Sequence, residues 1–400
     1  MNAFTPMFPT RRRWLQTAGA GLLLASPGLR MAFASSPQAR GKLVVVMLRG
    51  ALDGLAAVPA VGDPQWSALR PPPADAATNA AQTAPPLPLD ATFALHPALA
   101  QLHRWYGEGQ LLVAHAVASP YRERSHFDAQ QLLESGGQRP FELTTGWLGR
   151  ALELSGQRAV ALSPAMPVAL RGARSASTWT PTRAAAPDAD LMARIAQTYQ
   201  NDPMLSGLLD QALTQRQTMG GGERDRGMGA GAGSTAAFTG LARQAGQFLA
   251  QAGGPDVAWL DLDGWDTHTQ QASRLQRQFA ALDAGLGALR ESLGERWADT
   301  SVLVMTEFGR AAALNGSGGT DHGTGGVAFL AGGAVAGGRV LADWPGLAPQ
   351  ALLDGRDLRP TRDIRTLLAP LLQRHLGVGG AQLASALPGA PKGANDLWRA

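Results

Sequence analysis

Five short runs of the chain are apolar almost without interruption: Lys42–Leu48, Leu111–Val117, Val257–Leu262, Val302–Thr306 and Val327–Leu330. They do not alternate between apolar and polar. That is the pattern of strands covered on both faces, hence of a largely parallel sheet. Between the third and fourth runs the period changes. Leu275, Phe279, Leu282, Leu286, Leu289 and Leu293 recur at spacings of three and four, which predicts a helix with one apolar face. Strand, helix, strand is the crossover unit of a parallel sheet. The pattern predicts one large α/β domain with insertions, binding its ligand at the carboxyl ends of the strands. Residues 70–90, rich in Pro and Ala and without period, read as a surface excursion. Residues 219–234 are low in complexity and rich in Gly, and read as a loop with little to bury.

The amino terminus has a different pattern. Thr10-Arg11-Arg12-Arg13-Trp14-Leu15-Gln16 precedes an apolar stretch from Ala18 to Ala25, and Ala32-Phe33-Ala34 then offers small residues at the positions a signal peptidase reads. The stretch is short of the roughly 20 apolar residues that span a bilayer. These signals in this order predict a twin-arginine signal over residues 1–34. The mature domain, residues 35–400, is then delivered folded by the twin-arginine export machinery to the periplasm or the exterior, with no stable membrane span after cleavage. A basic tail and an uncleaved anchor are the plainer alternatives.

Charge follows from that cleavage. The chain has 35 basic and 31 acidic residues. Residues 1–34 hold four of the basic ones (Arg11, Arg12, Arg13, Arg30) and no acid, so the mature protein is balanced at 31 of each. A nucleic-acid binder would carry a basic face, so none is expected as a partner. There is no cysteine, which excludes disulfides, thiol chemistry and cysteine-bound metals. Any metal must be held by carboxylate, imidazole or hydroxyl groups.

Such groups follow the predicted strands. Asp53 follows the first run, Ser125-His126-Phe127-Asp128 the second, Asp266 and His268 the third, and Glu307 the fourth. Asp321 and His322 precede the fifth, inside the glycine-rich stretch 315–326. Parallel strands would gather the first four groups on one edge of the sheet, and a glycine loop can reach that edge without steric penalty. Oxygen and imidazole donors from several loops suit a divalent metal: Zn, Mn, Mg or Ca. In an extended segment Asp266 and His268 share one face. Asp321 and His322 are adjacent and need a turn to converge. Each element has a plainer reading: Asp53-Gly54 as a turn, Glu307 as the partner of Arg310, Asp321-His322 as a polar turn. Their joint placement after successive strands is what points to a site. Ser125 with Asp128 has the form of a capping box, yet a serine at a helix start is also placed to be a nucleophile toward an anionic ester. The two roles compete for one oxygen. His96, His103, His115 and His375 lie in apolar or helical contexts and read as structural. The glycine loop matches neither a Walker loop nor a nucleophile elbow.

These motifs resemble a known family. After the signal come Leu43-Val44-Val45-Val46-Met47-Leu48-Arg49-Gly50-Ala51-Leu52-Asp53-Gly54-Leu55, Arg124-Ser125-His126-Phe127-Asp128-Ala129-Gln130, Thr145-Gly146-Trp147-Leu148-Gly149-Arg150, Gly264-Trp265-Asp266-Thr267-His268, Thr306-Glu307-Phe308-Gly309-Arg310 and Gly319-Thr320-Asp321-His322-Gly323-Thr324-Gly325-Gly326. Together they look like the bacterial domain of unknown function 1501 family, grouped with the alkaline phosphatase and sulfatase superfamily. The resemblance implies an alkaline-phosphatase-like α/β fold, with a largely parallel central sheet and helices on both faces. It also implies a metal site at the strand ends, where Asp53, Asp266, His268 and His322 fit ligand positions, and a nucleophile at Ser125. One departure stands out: where the superfamily carries an Asp-His pair, this chain has Glu307-Phe308.

Two functions follow as expectations. The first is a metal-dependent hydrolase of a small phosphate or sulfate ester. Ser125 attacks, Asp53, Asp266, His268, Glu307, Asp321 and His322 form the metal shell, and Arg49 or Arg124 holds the anion. The second is a non-catalytic exported scaffold or binding protein on the same fold. Replacing Arg11, Arg12 and Arg13 together by Lys is expected to strand the protein in the cytoplasm, and cell fractionation reads the outcome. Normal export of that variant would refute the signal.

Overall fold

The five apolar runs are all strands in the computed structural model. The model describes residues 41–71, 84–181, 189–203, 205–207, 209–210, 213 and 234–399. The expected signal lies outside the described residues. So does the glycine-rich loop except Ser234, which opens a helix instead. The strands in chain order are β1 (Leu43–Arg49), β2 (Leu87–Pro88), β3 (Ala94–Leu95), β4 (Leu111–Ala118), β5 (Ala159–Leu162), β6 (Ala176–Thr178), β7 (Val257–Asp263), β8 (Ser301–Thr306), β9 (Gly326–Ala331), β10 (Arg339–Leu341) and β11 (Arg362–Asp363). β2 and β3 pair in a separate hairpin. The rest form one nine-stranded sheet in the order β10-β4-β9-β8-β1-β7-β5-β6, with β11 also on β4. Residues 70–90 are therefore not all excursion: β2 closes the stretch, and Arg70 is buried.

β1 sits between β7 and β8, parallel to both. The helix between β7 and β8 therefore crosses over β1. β9 is the exception in direction, antiparallel to both β4 and β8. Two antiparallel pairings in succession leave β4 parallel to β8, so the carboxyl ends of β1, β4, β7 and β8 share one edge. The start of β9 lies at that same edge.

Alternate residues of β1 divide the core. Val44, Val46 and Leu48 face one layer, with Leu102 and Trp105 of α1 (Ala100–Gly107), and Leu43, Val45 and Met47 face the other. The second layer is packed by α3 (Trp147–Ser155) and α6 (Arg365–Leu371), which lie on either side in sequence of α4 (Ser234–Ala250) and α5 (Gln271–Leu293); between α1 and α3 comes α2 (His126–Ser135). α4 and α5 complete the first layer through Phe238, Phe248, Leu275 and Phe279. Helices thus cover both faces, as expected. All six periodic positions of α5, from Leu275 to Leu293, are buried. Burial of each such side chain is worth about 1.5–3 kcal/mol, far more than helix propensity supplies.

His115 lies in the middle of β4, stacked on Phe93 and edge-on to Trp344. Its Nδ1 accepts the N–H of Ala116 (2.8 Å), so its Nε2 donates to the Val58 carbonyl (3.0 Å). Burial lowers its pKa from the ordinary 6.5 to about 4. As pH falls, the unfolded chain therefore takes up this proton first. The stability is present above about pH 6.5 and is lost toward about pH 4, by about 3 kcal/mol for this one ring. NMR titration is expected to show His115 ring signals that do not shift between pH 7 and pH 5. A midpoint near 6.5 would overturn the assignment.

Candidate metal centre

Three histidines and an aspartate meet at the shared strand edge. Asp266 and His268 follow β7, and His268 Nε2 lies 2.9 Å from Asp266 Oδ1. His322 reaches the same point from the loop before β9, with Nε2 3.0 Å from His268 Nε2 and 3.4 Å from Asp266 Oδ1. The third ring is His126, the first residue of α2. Its Nε2 lies 3.0 Å from His322 Nε2 and 3.6 Å from Asp266 Oδ2. His126, Asp266 and His322 offer ligand atoms within 4.8 Å of one another. Phe308 packs against the rings of both His126 and His322, so the residue that cannot bind a metal walls the site instead.

The tautomers follow from the outer hydrogen bonds. His322 Nδ1 faces the Arg124 carbonyl (3.0 Å), which can only accept, so Nδ1 carries the proton. His126 Nδ1 faces Glu307 Oε1 at 2.8 Å. Burial works to raise the Glu307 pKa, but hydrogen bonds from His126, Gln130 and the backbone, including the Gly50 N–H, hold it below the usual range. Glu307 is therefore an anion and His126 Nδ1 donates to it. In their neutral forms both rings then turn bare Nε2 lone pairs toward each other. One shared proton could satisfy a single pair. A metal cation satisfies three imidazole nitrogens and the carboxylate together, and orientation of a ligand ring by a carboxylate or carbonyl at its other nitrogen is the usual arrangement around such ions. The donor set fits a divalent ion.

Electrostatics agree with that fit. Asp266 is half-exposed, and burial acts to raise its pKa, but the hydrogen bond and charge of Arg310, with His268 and His126, hold it below the ordinary value. Arg310 Nη1 lies 2.7 Å from Asp266 Oδ1. Desolvation and then the neighbouring His126 lower the pKa of His322, favouring the neutral ring.

The remaining expected residues are placed around this cluster rather than in it. Glu307 is fully engaged behind His126, taking donors from Gly50, Gln130 and Thr306 as well. Asp321 is exposed, with Oδ1 3.6 Å from His268 Nδ1, on the outer side of that ring. Asp53 is buried: it accepts the Ala56 N–H as a helix cap, receives Gln271 (2.7 Å), and forms an ion pair with Arg70 at 2.6 Å. Arg49 is paired with Glu134 and Asp261, both at 2.8 Å. Arg124 is paired with Asp357 at 2.7 Å. Arg310 serves Asp266, not Glu307. Ser125 occupies the N-cap position of α2, but its side chain makes no cap hydrogen bond, and Asp128 accepts from Tyr121 instead. The capping box is thus not formed, and the hydroxyl is not tied to the helix start.

Sequence reasoning passed over His126 as a ligand, although it is the residue after Ser125. Its position at the start of a helix that follows β4 was the available signal. The glycine loop has a steric reason. A Cβ on Gly319 would lie 2.2 Å from the His268 carbonyl carbon, and one on Gly323 2.2 Å from that of Arg310. Gly323 N–H also donates to the Gly309 carbonyl (2.9 Å), which seats the His322 segment against residues 309–311.

The fold and cluster define an α/β protein with a group of histidine and aspartate side chains at metal-ligand spacing on the carboxyl edge of a mostly parallel sheet. The chain belongs to the family described as "Protein of unknown function (DUF1501)", whose model matches residues 40–387. No curated protein matches it. Similar solved structures include the PH0037 protein from Pyrococcus horikoshii, at 10% identity over 85% of this chain and 98% of that one, with TM-score 0.42. The phosphonate monoester hydrolase of Agrobacterium radiobacter is 13% identical over 90% and 79%, with TM-score 0.36. A protein in the alkaline phosphatase superfamily from Vibrio parahaemolyticus is 11% identical over 83% and 66%, with TM-score 0.36.

The role of Glu307 is open to direct measurement. Glu307→Gln keeps the shape but removes the charge that fixes the His126 proton, and if the cluster takes up zinc, the variant is expected to do so about 10- to 100-fold more weakly by calorimetry. Unchanged affinity would show that Glu307 does not orient the ring.

Proposed function

We propose that this protein is an exported, metal-dependent hydrolase of phosphate or sulfate esters, with one divalent ion held by His126, Asp266, His268 and His322. The observation that carries this reading is the meeting of three imidazole Nε2 atoms on one carboxylate, with the Nδ1 atoms of His126 and His322 committed elsewhere. A donor set this rich in nitrogen suits Zn better than Mg or Ca. Bound there, the ion would supply Lewis acidity toward an ester oxygen. Residues 124 and 126 both touch the cluster, through the Arg124 carbonyl and the His126 ring, and Ser125 is the residue between them, which supports its assignment to the site. Its hydroxyl is not spent on a cap, and the free N–H groups of the first turn of α2 favour an anion at that point. Ser125 is the nucleophile in this reading, and Arg310 keeps Asp266 ionised. Export rests on the twin-arginine pattern of residues 10–34.

One observation favours the second reading, a non-catalytic exported scaffold or binding protein. The guanidinium groups of Arg49 and Arg124 are both committed to carboxylates, which leaves neither unpaired for a substrate anion. Elemental analysis of the natively exported protein, coupled to a panel of phosphate monoesters, phosphate diesters and sulfate esters, separates the two. The hydrolase is expected to retain about one ion per chain and to turn over one ester class. Asp266→Ala with His268→Ala loses the ion. Ser125→Ala keeps the ion and the thermal midpoint, since no cap bond is lost, and abolishes turnover. A cap role would instead cost about 0.5–2 kcal/mol. A metal-free wild type inactive on every ester would establish the scaffold.

A further inference from the structure

The loop from Leu353 to Leu358 is joined to both flanks of the segment that carries His322. On one side the Ala312 N–H donates to the Arg356 carbonyl (3.0 Å), and Ala311 bridges to Asp357. On the other the Gly325 N–H donates to the Leu358 carbonyl (3.0 Å). At the centre lies Asp357, wholly buried. Its carboxylate accepts Nε and Nη2 of Arg124 (3.0 and 2.7 Å), the Thr324 hydroxyl (2.7 Å) and Nε of Arg356 (2.8 Å).

Each of those partners bears on His322. Thr324 stands two residues beyond it. Arg356 Nη2 donates to the His322 carbonyl. Arg124 is the residue whose own carbonyl accepts His322 Nδ1. Arg124 has φ +60°, a left-handed conformation that a residue with a Cβ rarely adopts. It persists where its surroundings hold it, and here the side chain is anchored by two hydrogen bonds to one buried carboxylate oxygen. The turn aims the carbonyl at the ring.

We propose that Asp357 is a positioning residue of the centre. It holds Arg124 in the left-handed turn that fixes His322 as the Nδ1–H tautomer, with Nε2 directed at the ion. The proposal rests on the reading of the three-histidine cluster as a metal centre. It gives Arg124 a structural task in place of the anion contact expected from the sequence.

The test is titration of Co(II) into metal-free protein, followed by visible absorption, with folding checked by thermal melts. Two variants are compared with wild type. Asp357→Asn removes the charge and keeps the shape. Arg124→Leu removes the anchored side chain at a partly exposed position, so it decides the matter if Asp357→Asn does not fold. Each folded variant is expected to bind Co(II) at least about tenfold more weakly and with a shifted visible band. A general loss of stability would leave the band where it is. Folded variants with wild-type affinity and an unshifted band overturn the proposal. A wild type that binds no Co(II) overturns instead the metal reading of the cluster, a separate outcome.

Discussion

The direction of one strand decides where the chemistry can assemble. β9 runs against both of its neighbours in an otherwise parallel sheet. Its start therefore lies beside the ends of β4 and β8, and the loop before it delivers His322 to the place where Asp266, His268 and His126 arrive. Had β9 been parallel, its six residues would have put that loop about 20 Å away on the opposite edge. The glycines complete the constraint. Gly319 and Gly323 lie so close to the backbones of His268 and Arg310 that a side chain would force the segment off the site.

A second constraint is charge. Three carboxylates buried at this edge are matched by arginine, Asp53 by Arg70, Glu134 by Arg49, and Asp357 by Arg124 and Arg356, while Glu307 is held by hydrogen bonds from His126, Gln130, Thr306 and the Gly50 N–H. Asp266, partly exposed, is matched by the fully buried Arg310. An unmatched buried charge costs several kcal/mol, so most of the local arginines are bound to a structural partner. The convergent imidazole nitrogens are the exception. The outer nitrogens of His126 and His322 are satisfied and the inner ones face one another, which is a poor arrangement for folding and a suitable one for holding a cation.

The division between helices and sheet was legible because it depends on local period. Unbroken apolar runs such as Val44–Leu48 report burial on two faces, and the repeat of Leu275 to Leu293 reports burial on one. The short edge strands β6, β10 and β11 carry two or three residues each, too few to show a period. Part of the site was legible as well. Asp266 and His268, two apart after β7, do meet, and His322 does reach them. Asp53 and Glu307 were legible as acids at the right edge, but their actual partners were not. Their partners, Arg70 and His126, are 17 and 181 residues away in sequence.

The sequence by itself determined the class of fold, the edge that gathers the polar residues and the family to which the chain belongs, because strand burial and motif order are written locally. Only the tertiary structure decided which acids bind a guanidinium and which face a histidine, that His126 joins the cluster, and that Ser125 is free of the helix cap. Those outcomes depend on distances between loops that leave different strands. Such distances are set by the order and direction of the strands in the sheet, which the local period of a sequence does not encode.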